Sequence, residues 1–236
     1  MNENLIKSVD VNTYLQASIQ YGHKTSEWNP QIAPYLSSEK NGFHIFSIAK
    51  TLRLLKCAGY LLQKIAQQNG TILYVGTDQI SAPLVAKYAM EANAFYINSR
   101  WLGGMLTNWA TIQNQINYLE ELEKKEKSGA FAFLGKKEFA KQKQKIEKLN
   151  KIFYGVKNMD SLPNAIIFTN QLKDSLAVQE CLKLGIPAIA IVDSNCNPSL
   201  VPYPIPANDD SSSSINFILK YLTNSIHIGT QLKITN

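Results

Sequence analysis

Asn98-Ser99-Arg100-Trp101-Leu102-Gly103-Gly104-Met105-Leu106-Thr107-Asn108-Trp109 is where the periodicity of this chain changes. Before it, short β-branched runs alternate with helical patterns; after it comes one long helical stretch dense in lysine and glutamate. Paired glycines let a backbone adopt positive φ or approach another surface closely. No Ser/His/Asp, Cys/His or carboxylate set surrounds them that would make or break bonds. An exposed-looking Arg-Trp pair opening a charged helical hairpin points to a scaffold that grips RNA, and a tight turn packed on its own domain is the plainer reading of the same residues.

Outward from that stretch, apolar runs at 71–75, 94–97, 165–168 and 187–192 are predicted strands, separated by helical patterns at 11–19, 45–68, 80–91, 174–184 and 211–223. This order predicts a doubly wound α/β layer, a parallel sheet covered on both faces. The fourth helix stops at Gly185 before Pro187. The proline-rich segment 197–206 must be extended, since each proline restricts the residue before it, and it reads as an edge strand or a strap.

The interruption is a different object. Trp109, Ile112, Ile116, Leu119 and Leu122 recur three or four apart, and Phe139, Ile146, Leu149 and Phe153 supply a facing stripe, with Gly129 and Gly135 in the connection. The spacing predicts an antiparallel helical hairpin, with Thr107, followed by Asn108, as its N-cap. The chain then divides into an α/β domain made of residues 1–106 and 154–236 and an inserted hairpin at 107–153. At 1.5 Å per residue, an arm of about twenty residues reaches roughly 30 Å.

With 236 residues, of which 45% are hydrophobic and 18% charged, the chain suits one substantial core with an insertion. The formal net charge is +6, and residues 120–151 hold ten lysines against six glutamates, two thirds of that excess. A basic excess on one projecting element is the footprint of a polyanion partner, although Glu/Lys mixtures also clothe ordinary solvated helices. The candidate RNA contacts are Lys124, Lys125, Lys127, Lys136, Lys137, Lys141, Lys143, Lys145 and Lys148 on the hairpin, with Arg100, Trp101 and Asn108 beside it. No apolar run approaches a membrane span, and residues 1–20 lack both a secretory signal pattern and a transit-peptide bias, so no membrane partner is expected. Cys57, Cys181 and Cys196 are odd in number and far apart, which predicts buried free thiols rather than disulfides.

An enzyme of this layout would place its site at the strand ends. There Val75-Gly76-Thr77-Asp78-Gln79-Ile80-Ser81 lacks the Gly-x-Gly-x-x-Gly of dinucleotide binding, and no Walker-type Gly-Lys-Ser/Thr occurs. Thr77 and Ser81 suit a small anion at a helix N-terminus, or simple capping. Asp193-Ser194-Asn195-Cys196 resembles a thiol loop, but His23, His44 and His227 have no metal-type spacing to a cysteine or to each other. Asp193, Asn195 and Asn208-Asp209-Asp210 read as turn and cap residues. No catalytic residue, cofactor, metal ligand or small-molecule substrate is therefore assigned. The rivals are a sugar-phosphate enzyme using the 76–81 turn, against which the missing acid/base pair counts, and a protein-binding adaptor, which would expose an apolar patch instead of lysines.

Tyr21-Gly22-His23, Trp28-Asn29-Pro30, Ile32-Ala33-Pro34-Tyr35, Asn41-Gly42-Phe43-His44-Ile45, Val75-Gly76-Thr77, the 98–108 string, Leu184-Gly185-Ile186-Pro187, Asp193-Ser194-Asn195-Cys196 and Tyr203-Pro204-Ile205-Pro206-Ala207-Asn208-Asp209-Asp210 occur in one order over residues 10–229. Together they resemble the bacterial-type small ribosomal subunit protein 2 family. The resemblance implies a flavodoxin-like α/β domain with an inserted coiled-coil hairpin. It also implies binding to small-subunit rRNA and neighbouring ribosomal proteins between head and body, and a part in translation without catalysis.

The chain departs from that pattern at Ser26-Glu27 and Asp78-Gln79, where the family usually carries basic residues, and at Tyr154-Gly155, where it has a glycine pair. It departs again at Thr169-Asn170-Gln171-Leu172-Lys173, where the family tends to carry an Asp and an Arg. These changes imply a globular body that leans on rRNA less than usual. Twenty-two lysines against two arginines, with many Asn and Ile, suit an A+T-rich genome. A plastid stroma is the expected compartment, with a bacterial cytoplasm or a mitochondrion as alternatives.

Overall fold

In the computed structural model, which describes residues 11–129, 131 and 135–234, four of the five strands of the main sheet fall on the apolar runs. The elements in chain order are α1 (Val11–Gln16), β1 (Tyr21–Lys24), β2 (Leu36–Lys40), β3 (Phe43–Phe46), α2 (Ile48–Gln67), β4 (Ile72–Val75), α3 (Ser81–Glu91) and β5 (Phe95–Ile97). There follow α4 (Trp109–Lys127), α5 (Lys136–Phe153), β6 (Ala165–Phe168), α6 (Ser175–Lys183), β7 (Ala188–Val192), β8 (Tyr203–Pro206) and α7 (Ser212–Ile234). Residues 1–10, half of the stretch searched for a leader, lie outside the described residues, as do 130 and 132–134 in the α4–α5 connection.

β4, β6 and β7 are buried at every position, which is why they read as unbroken apolar runs without alternation. The sheet order is β5-β4-β6-β7-β8, all parallel. Numbered within the sheet this is 2-1-3-4-5, consistent with the flavodoxin-like doubly wound arrangement. The strand pleat sends Leu73, Val75, Ile166, Phe168, Ala190 and Val192 to one face, against α6 and residues of α4 and α5. It sends Ile72, Tyr74, Ala165, Ile167, Ile189 and Ile191 to the other, against α2, α3 and α7. Two cores thus share one sheet. Among the described residues no helix is long and apolar enough to cross a membrane.

A second sheet, β1-β3-β2, is antiparallel and lies outside the elements that the apolar runs predict. Its tight turn is Asn41-Gly42, both at positive φ (54° and 78°), joining Lys40 to its partner Phe43 across a two-residue loop. The helix expected from residue 45 accordingly starts at Ile48. The proline-rich segment forms a short 3-10 turn, Pro198–Leu200, and then β8 at the sheet edge. Buried thiols hold for Cys181 and Cys196, whereas Cys57 is exposed, lying off the apolar stripe of α2; all three are free.

Candidate nucleic-acid interface

The loop between β5 and α4 is organised by one carboxylate from α6. Glu180 Oε1 accepts from the Trp101 indole N–H (3.1 Å) and the Gly104 amide (2.8 Å), and Oε2 accepts from the amides of Leu106 (3.0 Å) and Thr107 (3.1 Å) and the Thr107 hydroxyl (3.1 Å). Gly104 makes this convergence possible, with φ +88°, a conformation that costs other residues strain. Burial works against the charge on Glu180, but the hydrogen bonds from Thr107, Leu106, Trp101 and Gly104 together outweigh it and hold the carboxyl below its usual range.

That anchoring separates the loop's candidate contacts. Trp101 is only 8% exposed and its N–H is committed to Glu180, so the expected surface ring is an internal brace. Arg100 and Asn108 are exposed. Thr107 is tied to Glu180, and Asn108 occupies the cap position of α4, where its carboxamide oxygen accepts from the Thr111 hydroxyl (2.7 Å).

Beyond the loop, α4 and α5 lie against each other. Ile112, Ile116, Leu119 and Leu122 of α4 and Ile146 and Phe153 of α5 are buried, with Leu149 packed on them. Phe139, expected in the same stripe, is 41% exposed, one turn into α5 and close to the undescribed connection. Cross-links tie the far half of α4 to the end of α5 and beyond: Asn150 donates to Glu123 (2.9 Å), and Lys157 bonds the other Glu123 oxygen. All nine candidate lysines are exposed. Lys145 donates to the Tyr118 hydroxyl (2.9 Å) and sits 4.5 Å from that ring's centroid. Among the described residues, none of the nine is within ion-pair distance of a carboxylate.

The crevice between the carboxyl ends of β4 and β6, where a doubly wound sheet reverses its order and binds ligands, is spanned here by the chain's own side chains. Thr77 donates to Asp174 Oδ1 (2.7 Å), and Lys173 pairs with Asp78 (2.7 Å). Burial pushes the Asp174 carboxyl up to about 6. The Thr77/Ser81 turn therefore faces two acidic groups and one lysine already in use, a poor cradle for an anion.

At the other end of the same edge, His23, Asp193 and Asp209 bring ligand atoms within 4.8 Å of one another. His23 Nδ1 lies 3.1 Å from Asp193 Oδ1, and its Nε2 lies 3.3 Å from Asp210. Asp209 is 4% exposed, and neither of its carboxylate oxygens has a hydrogen-bond partner among the described residues. The hydrogen bond with Asp193 raises the His23 pKa to about 9, and burial together with Asp193 and Asp210 raises that of Asp209. One imidazole and two carboxylates form a donor set that suits a divalent cation. Asp193 and Asn208 do act as the expected turn residues, Asp193 bonding the Ser194 and Asp209 amides and Asn208 those of Asp210 and Ser211. The sequence does not bring His23, Asp193 and Asp209 together, because they come from opposite ends of the chain and share only the recurrence of Asp after strand ends.

Residues 14–229 match the profile described as Ribosomal protein S2. The chain belongs to the ribosomal protein S2 family. It is 42% identical over 224 residues to "Small ribosomal subunit protein uS2c" of Phaeodactylum tricornutum, covering 95% of this chain and 99% of that one. It is similarly 42% identical to the protein of that name in Mesostigma viride, over 97% of this chain and all of the other. "Small ribosomal subunit protein uS2" of Synechococcus elongatus is 42% identical over 90% of this chain and 85% of its own.

Proposed function

We propose that this chain is a structural constituent of a plastid small ribosomal subunit, acting in translation without catalysis and binding rRNA and neighbouring ribosomal proteins between head and body. Family membership and the plastid-type names of its relatives support this reading. The observation that carries the RNA assignment is the row of exposed lysines on α4 and α5, with no carboxylate within ion-pair distance among the described residues.

In this reading, residues 1–106 and 154–236 form the α/β body and 107–153 an inserted antiparallel coiled-coil hairpin. Lys124, Lys125, Lys127, Lys136, Lys137, Lys141, Lys143 and Lys148 neutralise rRNA phosphates, and Lys145 does so once drawn away from Tyr118. Arg100 and Asn108 contact RNA at the hairpin's root, and Trp101 serves from inside by holding their loop. Phosphate contacts fix affinity and position without reading sequence, so specificity comes from the shape of folded rRNA and from protein neighbours.

The test is salt dependence. Replacing Lys141, Lys143, Lys145 and Lys148 by Gln lowers the slope of log affinity against log salt by about 0.7 to 0.9 for each phosphate no longer neutralised. An unchanged slope removes these residues from the interface. Arg100→Lys separately weakens assembly into subunits, because an ammonium does not reproduce a planar fork.

A further inference from the structure

Where α5 ends, an open recess of about 530 Å³ lies beside the edge strand β5, lined among others by Met90, Asn93, Tyr96, Tyr154 and Asn158. Tyr154 is 68% exposed and Met90 63%. The tyrosine is not a loose surface ring. Phe153 before it and Val156 after it are buried at 1% and 0%. Gly155 lies so close to β5 that a Cβ there would stand 2.2 Å from the Tyr96 carbonyl oxygen. The backbone under Tyr154 is therefore clamped on both sides while its ring is left in solvent.

Two features give this recess its chemistry. At 100° per residue, Lys143, Glu147 and Lys151 share the face of α5 that continues into Tyr154, so the residue one turn before the ring is a cation, Lys151, with the acid Glu147 a turn further back. The lining holds two carboxamides, Asn93 and Asn158, and no carboxylate. Three other recesses each include acid: one has Glu91, one Glu27, Asp193 and Asp210, and one Glu120 and Asp160. An aromatic face with two amides in a lining without acid, and one lysine a turn away, matches what an unpaired nucleotide needs: a stacking surface, groups that both donate and accept at a base edge, and a cation for the adjoining phosphate.

We propose that Tyr154 is the stacking platform for one unpaired nucleobase of rRNA, with Asn93 and Asn158 at the base edge and Lys151 on the flanking phosphate. This rests on the rRNA-binding reading above and adds to it a base-contacting site on the body side of the hairpin. Stacking releases no counterions, so it has a signature that distinguishes it from the lysines.

The experiment uses the full chain and transcribed small-subunit rRNA, comparing the parent with Tyr154→Ala, Tyr154→Trp and Lys151→Gln over a range of salt concentrations. Tyr154→Ala lowers affinity about tenfold at every salt concentration and leaves the slope as it was. Tyr154→Trp restores binding, and the extra indole emission it adds over the parent is quenched by RNA. Lys151→Gln reduces the slope by about 0.7. The proposal is overturned if Tyr154→Ala binds like the parent, if the added tryptophan stays bright on bound RNA, or if the defect appears only when a neighbouring small-subunit protein is present, which would make the recess a protein contact. A parent chain that does not bind rRNA at all defeats the earlier reading instead, a result plainly distinct from a variant that binds as well as its parent.

Discussion

The carboxyl edge of the main sheet and the outer face of α5 are both rich in charge, and they treat it in opposite ways. At the sheet edge, Asp78 is paired with Lys173, Asp174 takes the Thr77 hydroxyl, and Glu180 accepts five hydrogen bonds from one loop. On α5, Lys136, Lys137, Lys141, Lys143 and Lys148 stand in solvent without a carboxylate within ion-pair distance among the described residues. Charge spent inside the fold shapes loops and closes the crevice that related architectures use for ligands. Charge left outside is held by mobile counterions, which a polyanion displaces at a gain in entropy.

The contrast breaks most readily at Glu180. Glu180→Ala strands several inward-pointing donors and is expected to cost about 4 kcal/mol, read as a fall in urea midpoint together with loss of protection of the Gly104, Leu106 and Thr107 amides from hydrogen exchange. A variant as stable as its parent would mean the loop holds itself.

Asp174 comes next, and its effect depends on pH. Its folded-state pKa is raised from 3.8 to about 6, so protonation favours the fold; the contribution is complete below the unfolded value and lost as pH rises through the folded one. Asp174→Asn cannot ionise. The stability of the variant relative to the parent should therefore grow between pH values of about 4 and 7, by at most about 3 kcal/mol. A flat difference across that window would mean the carboxylate is better solvated than its burial indicates.

Smaller again is Trp101→Phe, which keeps most of the packing and removes the N–H to Glu180, at a cost of about 1.5 kcal/mol. Smallest of all, in stability alone, is the combined replacement of Lys141, Lys143 and Lys148 by Gln, expected to shift unfolding by no more than about 0.5 kcal/mol while still flattening the salt response of binding. Calorimetry that found a large destabilisation would place those lysines with the sheet-edge charges as architecture.

How much of this could be seen in the sequence depended on how local the cause was. β4, β6 and β7 are covered on both faces, so continuous runs such as Ala165-Ile166-Ile167-Phe168 announce themselves. β2 reads Leu36-Ser37-Ser38-Glu39-Lys40 and is almost wholly exposed, so it carries no apolar alternation; only Asn41-Gly42 signals its turn, and that dipeptide was legible on its own. The exposure of the lysines followed from the helical spacing of Ile146 and Phe153. The burial of Trp101 did not, because its partner Glu180 is 79 positions away and an Arg-Trp pair next to glycines looks the same whether its ring faces in or out. His23, Asp193 and Asp209 are likewise neighbours only in the folded chain.

The two borders of the main sheet have a consequence for the time before assembly. β8 contains Pro204 and Pro206, so two of its four residues have no amide hydrogen to offer a passing strand, and β5 on the opposite border is overlaid by the turn at Tyr154–Val156. A newly made copy waiting for its particle thus presents neither side as a template for its siblings. Protection of these two margins against pairing with a sibling is written into the backbone itself.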